Sequence, residues 1–407
     1  MQSVSFARRA AHLSPTMPAA APSRNISFDS GHASPAVLPD LTGEAASALV
    51  NYRSETLQYA PRAGLPALRK WIAEYMRADG TNISADSILV TNGAKHAIEL
   101  VCRVLIDEGD AVVVTRPTYF SAIPIIRSFG ARFIEVGQDE NGLDVEELEA
   151  LLDLMTRERV PLPKFIYNVP DFHNPTGVTM PLERRRALVD LAVRYQIFLV
   201  EDSPYRKVRF EGESVPSLKS LDRDDVVFQL GTFSKLMAPG LRVGWAAGPP
   251  ALLARMAALK TDAGSCPLTQ RLIIEFCTAG KLSDHTARVQ ATYRSNRDHM
   301  VAAMKRELPE LSMQIPNGGY YLWLTLPETM DGDELTSAAN DEGVTIIAGS
   351  KFFARTDVPQ PKNHVRVAFS HATHDEIDTG IHRLAVAYAK LREKSRTSAA
   401  VLTGASN

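Results

Sequence analysis

A lysine flanked by hydroxyls and followed by an arginine is the group of residues in this chain best suited to chemistry. Lys235 comes just after a predicted strand. Thr232 and Ser234 precede the lysine, and Arg242 follows it shortly afterwards. Hydroxyls and a guanidinium can together bind a phosphate, and a desolvated lysine forms Schiff bases with aldehydes. The stretch therefore indicates an aldehyde that carries a phosphate, which is pyridoxal phosphate. A solvated loop lysine is the alternative.

This cofactor needs a carboxylate partner, because its ring nitrogen must stay protonated. Asp202 directly follows the apolar run 197–201, at the carboxyl end of a predicted strand, where ligands of open α/β sheets bind. Tyr205 and Asn174, which opens an Asn-Pro-Thr-Gly turn, are predicted to reach the phenolic oxygen of the ring. A cap or turn acid is the alternative role for Asp202.

Two further segments that follow predicted strands could hold the phosphate and the ring. Gly93, Ala94 and Lys95 stand where a predicted helix opens, and backbone N–H groups at a helix N-terminus bind phosphate. Tyr119, after the predicted strand 111–115, offers an aromatic face for stacking on the ring. Packing in the core explains an aromatic residue at that position equally well.

Arg366 lies in a β-like run, where alternation places it on the face opposite Val365 and Val367. A guanidinium buried among such neighbours is costly unless an anion pairs with it. A substrate α-carboxylate would be a suitable bidentate partner. A structural salt bridge is the alternative.

The elements that must position these residues follow an α/β pattern. Between Ser87 and Gly231, short β-branched runs alternate with helix-period stretches, which predicts parallel strands joined by helical crossovers. After about Leu282 the pattern changes to a long helix, three strands and a last helix with a Thr373-x-x-Glu376 capping box. We predict a three-layer α/β/α large domain with a mostly parallel sheet, plus a smaller α+β domain. The predicted segments are an N-terminal arm (1–25), a segment packing near the site (26–45), the large domain (46–285), the small domain (286–393) and a frayed tail (394–407).

Composition excludes several classes of protein. The 407 residues include 45 basic and 47 acidic side chains, a net charge of −2, so no global basic field points to nucleic acid or an anionic membrane. No apolar run approaches the roughly 20 residues that span a bilayer. Three scattered cysteines are too few for a disulfide framework or a Cys-rich zinc site, which favours a reducing, cytoplasmic location and no metal. The first 28 residues lack Asp and Glu, a composition that a transit peptide could also show.

Taken together, these segments resemble the fold-type I pyridoxal-phosphate enzymes of aminotransferase class I/II, most closely the kynurenine/2-aminoadipate aminotransferase branch. The resemblance spans about Ile26 to Leu391. The stretches that carry it, in the order of the family, are Tyr59–Gly64, Asn174–Gly177, Asp202–Tyr205, Thr232–Lys235 and Pro239–Gly244.

The resemblance implies a role for each candidate residue. Lys235 forms the internal aldimine, Asp202 pairs with the ring nitrogen, Asn174 and Tyr205 bind the phenolic oxygen, and Arg366 clamps the substrate carboxylate. The remaining implied cofactor contacts are Gly93, the amides of Ala94 and Lys95, Thr232, Ser234, Arg242 and the stacked Tyr119. The resemblance also implies a homodimer, with Tyr59 reaching the phosphate of the partner subunit.

Three departures from the branch pattern fall on the substrate side. His32 follows Gly31 where the branch usually has a hydrophobic residue, His173 replaces the usual Gln before the Asn174 turn, and Arg62 replaces a small or neutral residue. We therefore predict substrate contacts from Gly31, His32, Arg62 and Asn174 besides the Arg366 clamp. The extra imidazoles and guanidinium indicate a polar or anionic substrate, or added proton-transfer capacity. Surface substitutions without consequence are the alternative.

The predicted activity is that of an aminotransferase moving the amino group of a polar or aromatic L-amino acid to a 2-oxo acid, through a Lys235 aldimine and a 1,3-proton shift. A lyase or a β- or γ-replacement, carbon–carbon-bond-forming enzyme on the same scaffold is the alternative. A transcription regulator with an aminotransferase-like effector domain is a third class. It would need a DNA-binding module, and the roughly 25 residues ahead of Ile26 fall short of the ~40-residue lower bound for unaided domains.

Overall fold

The strands and helices alternate through most of the chain. The computed structural model describes residues 25–404, with side chains for residues 25–394. The predicted N-terminal arm therefore lies almost wholly outside the described residues. The strands are β1 (Ile26–Ser27), β2 (Ile88–Thr91), β3 (Ala111–Arg116), β4 (Arg132–Asp139), β5 (Gly142–Leu143), β6 (Phe165–Asn168), β7 (Phe198–Asp202), β8 (Val227–Thr232), β9 (Gly244–Ala247), β10 (Ser312–Gln314), β11 (Tyr321–Thr325), β12 (Val344–Thr345), β13 (Ile347–Ala348) and β14 (His364–Ala368).

The α-helices lie between these strands. They are α1 (Thr42–Asn51), α2 (Arg53–Thr56), α3 (Pro66–Ala78), α4 (Ala94–Leu105), α5 (Ala122–Ser128), α6 (Val145–Arg157), α7 (Leu182–Tyr195), α8 (Leu218–Leu221), α9 (Pro250–Leu259), α10 (Pro267–Thr278), α11 (Lys281–Glu307), α12 (Gly332–Asp341) and α13 (His374–Gly404). Within this described part of the chain, no helix is both long and apolar enough to cross a membrane.

The large sheet has eight strands in the order β2-β9-β8-β7-β6-β3-β4-β5. β3, β4, β6, β7 and β8 run parallel, and β9 is antiparallel to both of its neighbours. Val112 and Val114 pack with α4, α5 and α9 on one face, whereas Val113 and Ile166 pack with α6, α7 and α8 on the other. Helices on both faces explain why these strands are apolar throughout. The predicted three-layer α/β/α arrangement is confirmed.

A smaller antiparallel sheet, ordered β10-β11-β14-β13, forms the α+β unit. Its core joins Leu322 and Val365 of the sheet to Met304 of α11 and Leu384 of α13. β1 pairs with β12 in parallel, so the N-terminal segment attaches beside this unit. The predicted capping box is present at the start of α13, where Thr373 N donates to Glu376 Oε2 at 2.8 Å and Glu376 N donates to Thr373 Oγ1 at 3.3 Å.

The structure differs from the prediction in three places. The small unit has five strands, β10 to β14, where the sequence predicts three. The apolar run Gly240–Ala247 predicts a strand from its first residue, but β9 begins only at Gly244, because a short 3-10 turn precedes it and Arg242 adopts a positive φ of 52°. The last helix continues to Gly404, where a frayed tail (394–407) was expected. No Gly or Pro occurs between 394 and 403, so the backbone hydrogen-bond ladder meets no breaker there. Residues 405–407 lie outside the described range.

The strand order brings the candidate chemistry to one edge of the large sheet. Asp202 ends β7, Lys235 follows β8, and the turn with Asn174 follows β6. Gly93 follows β2 and Tyr119 follows β3. These strands all run in the same direction, so their carboxyl ends meet at the edge where ligands of open α/β sheets bind.

Candidate active site

A cavity of about 420 Å³ opens at this edge of the sheet. Twelve of the residues predicted from sequence line it, namely Gly31, His32, Ala94, Lys95, Tyr119, Asn174, Asp202, Tyr205, Thr232, Ser234, Lys235 and Arg242. Gly93 stands directly before the lining residue Ala94. Residues from the N-terminal segment and from five strand ends therefore converge on one cavity.

Lys235 extends its amine across this cavity. Its Nζ donates a hydrogen bond to the carbonyl oxygen of Gly31 at 2.6 Å and lies 4.6 Å from the centre of the Tyr320 ring. Burial, followed by the nearby charge of Arg366, lowers the pKa of Lys235 from 10.5 to about 7. A large fraction of the amine is therefore neutral at neutral pH, the form that adds to a carbonyl carbon or accepts a proton.

Asp202 has one satisfied and one unsatisfied carboxylate oxygen. Its side chain is buried, and Oδ2 accepts a hydrogen bond from the Tyr167 hydroxyl at 2.6 Å. Oδ1 is buried without a partner in the described part of the chain. Burial raises the pKa of Asp202 to about 6, the Tyr167 bond lowers it, and the charge of Glu201 raises it. A buried, unpaired carboxylate oxygen beside a cavity suits a protonated ring nitrogen.

The start of α4 forms one side of a cradle suited to an anion. α4 begins at Ala94 without a side-chain cap, after Gly93 with a φ of +89°. A Cβ at Gly93 would lie 3.0 Å from Arg242 Nη2, so only glycine combines this backbone with the close approach of the guanidinium. An uncapped helix N-terminus beside an arginine is a favourable place for phosphate.

Hydroxyls and a second cation complete this cradle. Thr232 Oγ1 donates to Ser234 Oγ at 3.0 Å, and Ser234 N donates to Thr232 Oγ1 at 3.1 Å. Burial lowers the pKa of Lys95, and the positive charge of the nearby Arg242 lowers it further. Among the described residues Arg242 donates only to backbone carbonyl oxygens, from Nη2 to Asn92 at 3.2 Å and from Nη1 to Pro239 at 3.3 Å. A phosphate would supply the missing negative charge.

Arg366 is almost fully buried, at 1% exposure. Nη1 donates to Asn174 Oδ1 at 3.0 Å, and Nη2 donates to the carbonyl oxygen of Asp29 at 2.5 Å. Nε has no partner, and no acidic side chain of residues 25–394 forms an ion pair with the guanidinium. The ring centre of Tyr321 lies 3.9 Å from Cζ. The structure therefore gives no support to the salt-bridge alternative, and the guanidinium is available for a carboxylate.

Tyr205 and Tyr119 keep their hydroxyl protons. Tyr205 donates to the Tyr321 hydroxyl at 3.3 Å, and burial raises its pKa well above 10.0. Burial raises the pKa of Tyr119 to about 12. Both side chains line the cavity, so they can donate hydrogen bonds or offer a ring face there.

Two predicted residues lie away from the cavity within this chain. Tyr59 is 81% exposed and Arg62 is also exposed. The backbone carbonyl of Arg62 accepts a hydrogen bond from Lys260 Nζ at 3.0 Å. The prediction of a substrate contact from Arg62 therefore has no counterpart in the site formed by one chain, because its loop turns the side chain outward.

The two substituted histidines differ in their placement. His32 lines the cavity, and burial, followed by the charge of His371, lowers its pKa. His173 does not line the cavity: it is buried between the hydroxyls of Thr115 and Thr176, at 3.1 and 3.0 Å. Burial lowers the pKa of His173 to about 3. The expectation that His173 acts on the substrate side is therefore corrected, because two threonines already occupy both of its ring nitrogens.

Sequence reasoning missed the residues that support the predicted ones. Tyr167 lies in the β-branched and aromatic run 164–168, which predicts a strand, but only the β6–β7 pairing places it beside Asp202. The rings around Arg366 come from distant parts of the chain. In the sequence, the only signal for Tyr167 is the alternation of side chains between the two faces of the run 164–168. The missed residues are Tyr167, the ring group Phe120, Tyr321 and Phe352, and the further cavity-lining residues Ile98, Val169, Pro204 and Pro239.

Comparisons with known proteins agree with this geometry. The family model described as aminotransferase class I and II matches residues 25–384. Aromatic-amino-acid aminotransferase 1 of Thermococcus litoralis is 35% identical, over 88% of this chain and 87% of that protein. The 2-aminoadipate transaminase of Thermus thermophilus is 33% identical, over 88% and 89%. A crystal structure of Pyrococcus horikoshii kynurenine aminotransferase with PMP matches with a TM-score of 0.88 at 31% identity, covering 95% of this chain and 97% of that one. This chain therefore belongs to the aminotransferase class I and II family and is a pyridoxal-phosphate-dependent transferase.

Proposed function

We propose that this enzyme moves the amino group of a polar or aromatic L-amino acid to a 2-oxo acid, with pyridoxal phosphate held between Lys235 and Asp202. The observation that carries the proposal is that one cavity is lined both by Lys235, whose amine has a pKa lowered to about 7, and by Asp202, whose Oδ1 has no partner in the described part of the chain. The names of the relatives, which act on aromatic amino acids and on 2-aminoadipate, support the substrate class.

Each group of residues then has a distinct task. When bound, the cofactor supplies an electron sink for the electron pair left at the substrate Cα. Asp202 Oδ1 holds the ring N–H, and Asn174 and Tyr205 bind the phenolic oxygen. Lys235 Nζ accepts the proton from the substrate Cα, for which a pKa of about 7 is well suited.

The remaining residues bind and orient. The α4 N-terminus, Thr232, Ser234 and Arg242 bind the phosphate, and Tyr119 stacks on the ring. Arg366 binds the substrate carboxylate, which removes the cost of its buried unpaired charge. His32 and Gly31 line the side of the cavity where a substrate side chain would lie, and the imidazole favours a polar side chain there.

A homodimer is part of the same proposal. Val50, Leu57 and Tyr59 are exposed apolar side chains on and just after α1 and α2, and we propose that they lie in the subunit interface, where exposed apolar surface is buried. In such a dimer Tyr59 would reach the partner subunit's phosphate, as the family resemblance implies. The segment 26–45 and the two domains, 46–285 and 286–393, are the units that we propose for each protomer.

Borohydride reduction of the cofactor-loaded protein, followed by peptide mass analysis, tests the proposal. We expect a pyridoxyl adduct on Lys235 and none in Lys235→Ala, which should also lose the visible absorption of the bound cofactor and all turnover. An exposed-lysine control, Lys70→Ala, should keep all three properties. Absence of the adduct on Lys235 in the wild type would refute the assignment.

The same protein, mixed with amino acids and 2-oxoglutarate, separates transfer from elimination. We expect glutamate and pyridoxamine phosphate to accumulate together when the donor is in excess. Release of a side-chain fragment with the cofactor still in its aldehyde form would instead identify a lyase or replacement enzyme. His32→Leu should shift the donor preference toward apolar amino acids if the imidazole contacts the substrate.

A further inference from the structure

Tyr167 lies next to Asp202 because two parallel strands are neighbours. In β6 and β7, Tyr167 pairs with Val200 and Asn168 pairs with Glu201. Side chains two residues apart share one face of a strand, so Val200 and Asp202 lie on the same face as Tyr167. The long phenol therefore reaches forward along the neighbouring strand to the carboxylate.

The hydroxyl of Tyr167 is the donor in this contact. Its oxygen lies 2.6 Å from Asp202 Oδ2, and no other side-chain hydrogen bond of Tyr167 is present in the described part of the chain. Burial and the charge of Asp202 hold the pKa of Tyr167 well above 10.0, so the phenol keeps its proton. The contact is therefore a charge-assisted O–H···O⁻ bond, the stronger kind of hydrogen bond.

Nothing else compensates the charge of Asp202 within residues 25–394. No cation forms an ion pair with it, Oδ1 has no partner, and the neighbouring Glu201 adds a like charge from the other face of the strand. A buried carboxylate in such surroundings favours its protonated form. Tyr167 is the group that opposes this tendency and that selects which oxygen, Oδ1, stays without a partner among the described residues.

We propose that Tyr167 is a positioning residue, whose hydroxyl fixes Oδ2 of Asp202 so that Oδ1 keeps the negative charge that holds the cofactor's ring proton on nitrogen. This inference rests on the proposed function, since it concerns the same ring nitrogen. A hydrogen bond donated to a carboxylate makes the carboxylate a weaker base. Without that bond, the shared proton moves toward Asp202 and the ring becomes a poorer electron sink.

The test uses holoenzyme loaded with pyridoxal phosphate labelled with nitrogen-15 in the ring, because the chemical shift of that nitrogen reports its protonation. We expect a protonated shift in the wild type, an unprotonated shift in Asp202→Asn, and a shift displaced toward the unprotonated value in Tyr167→Phe. Tyr388→Phe removes the hydroxyl of another buried tyrosine, which lies on α13 and does not line the cavity, and should keep the wild-type shift.

Kinetics provide a second measurement. Tyr167→Phe should lower kcat at least about tenfold and leave the KM of the amino donor within about twofold, because the hydroxyl does not contact the substrate. Should Tyr167→Phe not fold, Tyr167→Met, whose flexible side chain can fill the same space, repeats both measurements.

The outcomes separate this inference from the proposed function. One outcome is a ring nitrogen that is protonated in the wild type and unprotonated in Asp202→Asn. If the Tyr167 variant then shows the wild-type nitrogen shift, the role of Tyr167 alone is overturned. An unprotonated ring in the wild type, or a shift unchanged in Asp202→Asn, would overturn the ring-nitrogen assignment itself, and the role of Tyr167 with it.

Discussion

Replacing Lys235 by methionine should make the cofactor-free protein more stable at neutral pH. Folding lowers the pKa of this amine from 10.5 to about 7, chiefly by burial. Between these two pH values the unfolded chain holds a proton that the folded protein has released, so the stability of the wild type rises with pH across this range. Below about pH 7 both states are protonated and the penalty is complete. Methionine carries no proton and removes this penalty.

The size of the effect follows from the same pKa. A fall in the pKa of Lys235 from 10.5 to about 7 corresponds to a penalty of roughly 5 kcal/mol in the free energy of unfolding, at about 1.4 kcal/mol per pKa unit. The side chain is only part-buried against the open cavity, and solvent screens part of the penalty, so we expect about 2 kcal/mol at pH 7. With an unfolding entropy of about 2.1 cal/mol/K per residue, this raises the thermal midpoint of the 407-residue chain by about 2 °C.

Thermal unfolding of the cofactor-free proteins, at one protein concentration, measures the difference. Lys235→Met should exceed the wild type at pH 7, and the gap should close as the pH approaches 10.5. Lys70→Met, at an exposed position, should show no such pH-dependent gap. A variant that is no more stable at pH 7, or a gap that is equal at both pH values, would refute the reasoning.

Three further perturbations address the scaffold, the cradle and the substrate clamp. Asp171→Asn should cost about 3 kcal/mol or more of unfolding free energy in urea, because the fully buried Arg185, 2.8 Å away, loses its counter-charge; a cost below about 1 kcal/mol would contradict this. Gly244→Ala should weaken cofactor binding in a fluorescence titration, because a Cβ there would lie 2.9 Å from the Cα of Gly93; unchanged affinity would show that the cradle tolerates displacement. Arg366→Lys should raise the donor KM about tenfold in steady-state kinetics, since lysine cannot form the bidentate carboxylate contact; an unchanged KM would remove the clamp.

The candidate site could be predicted from sequence largely because its residues sit at strand ends. Lys235, Asp202 and Asn174 each follow an apolar run, and the pattern of alternating runs predicts parallel strands. In a parallel sheet the carboxyl ends share an edge, so residues far apart in the chain are expected together without knowledge of the strand order. Ten of the twelve predicted residues that line the cavity follow strand ends of the large sheet, whereas Gly31 and His32 come from the N-terminal segment.

The histidines show where this reasoning stops. His32 and His173 both depart from the usual family residue and both lie close to predicted site residues, yet only His32 faces the cavity. The ring of His173 turns to Thr115, which is 58 residues away in the chain. The direction of a side chain in a turn depends on partners of this kind, and local sequence does not contain them.

The sequence alone determined the reactive groups of this protein and the edge of the sheet on which they meet, because hydrophobic periodicity encodes strands and their ends. Only the tertiary structure decided the pairing of Tyr167 with Asp202 and the enclosure of Arg366 by aromatic rings. Those contacts require β6 to lie beside β7 and β14 to lie beside β11. Strand order follows from the packing of the whole chain, whereas periodicity reports only on each strand and its own two faces.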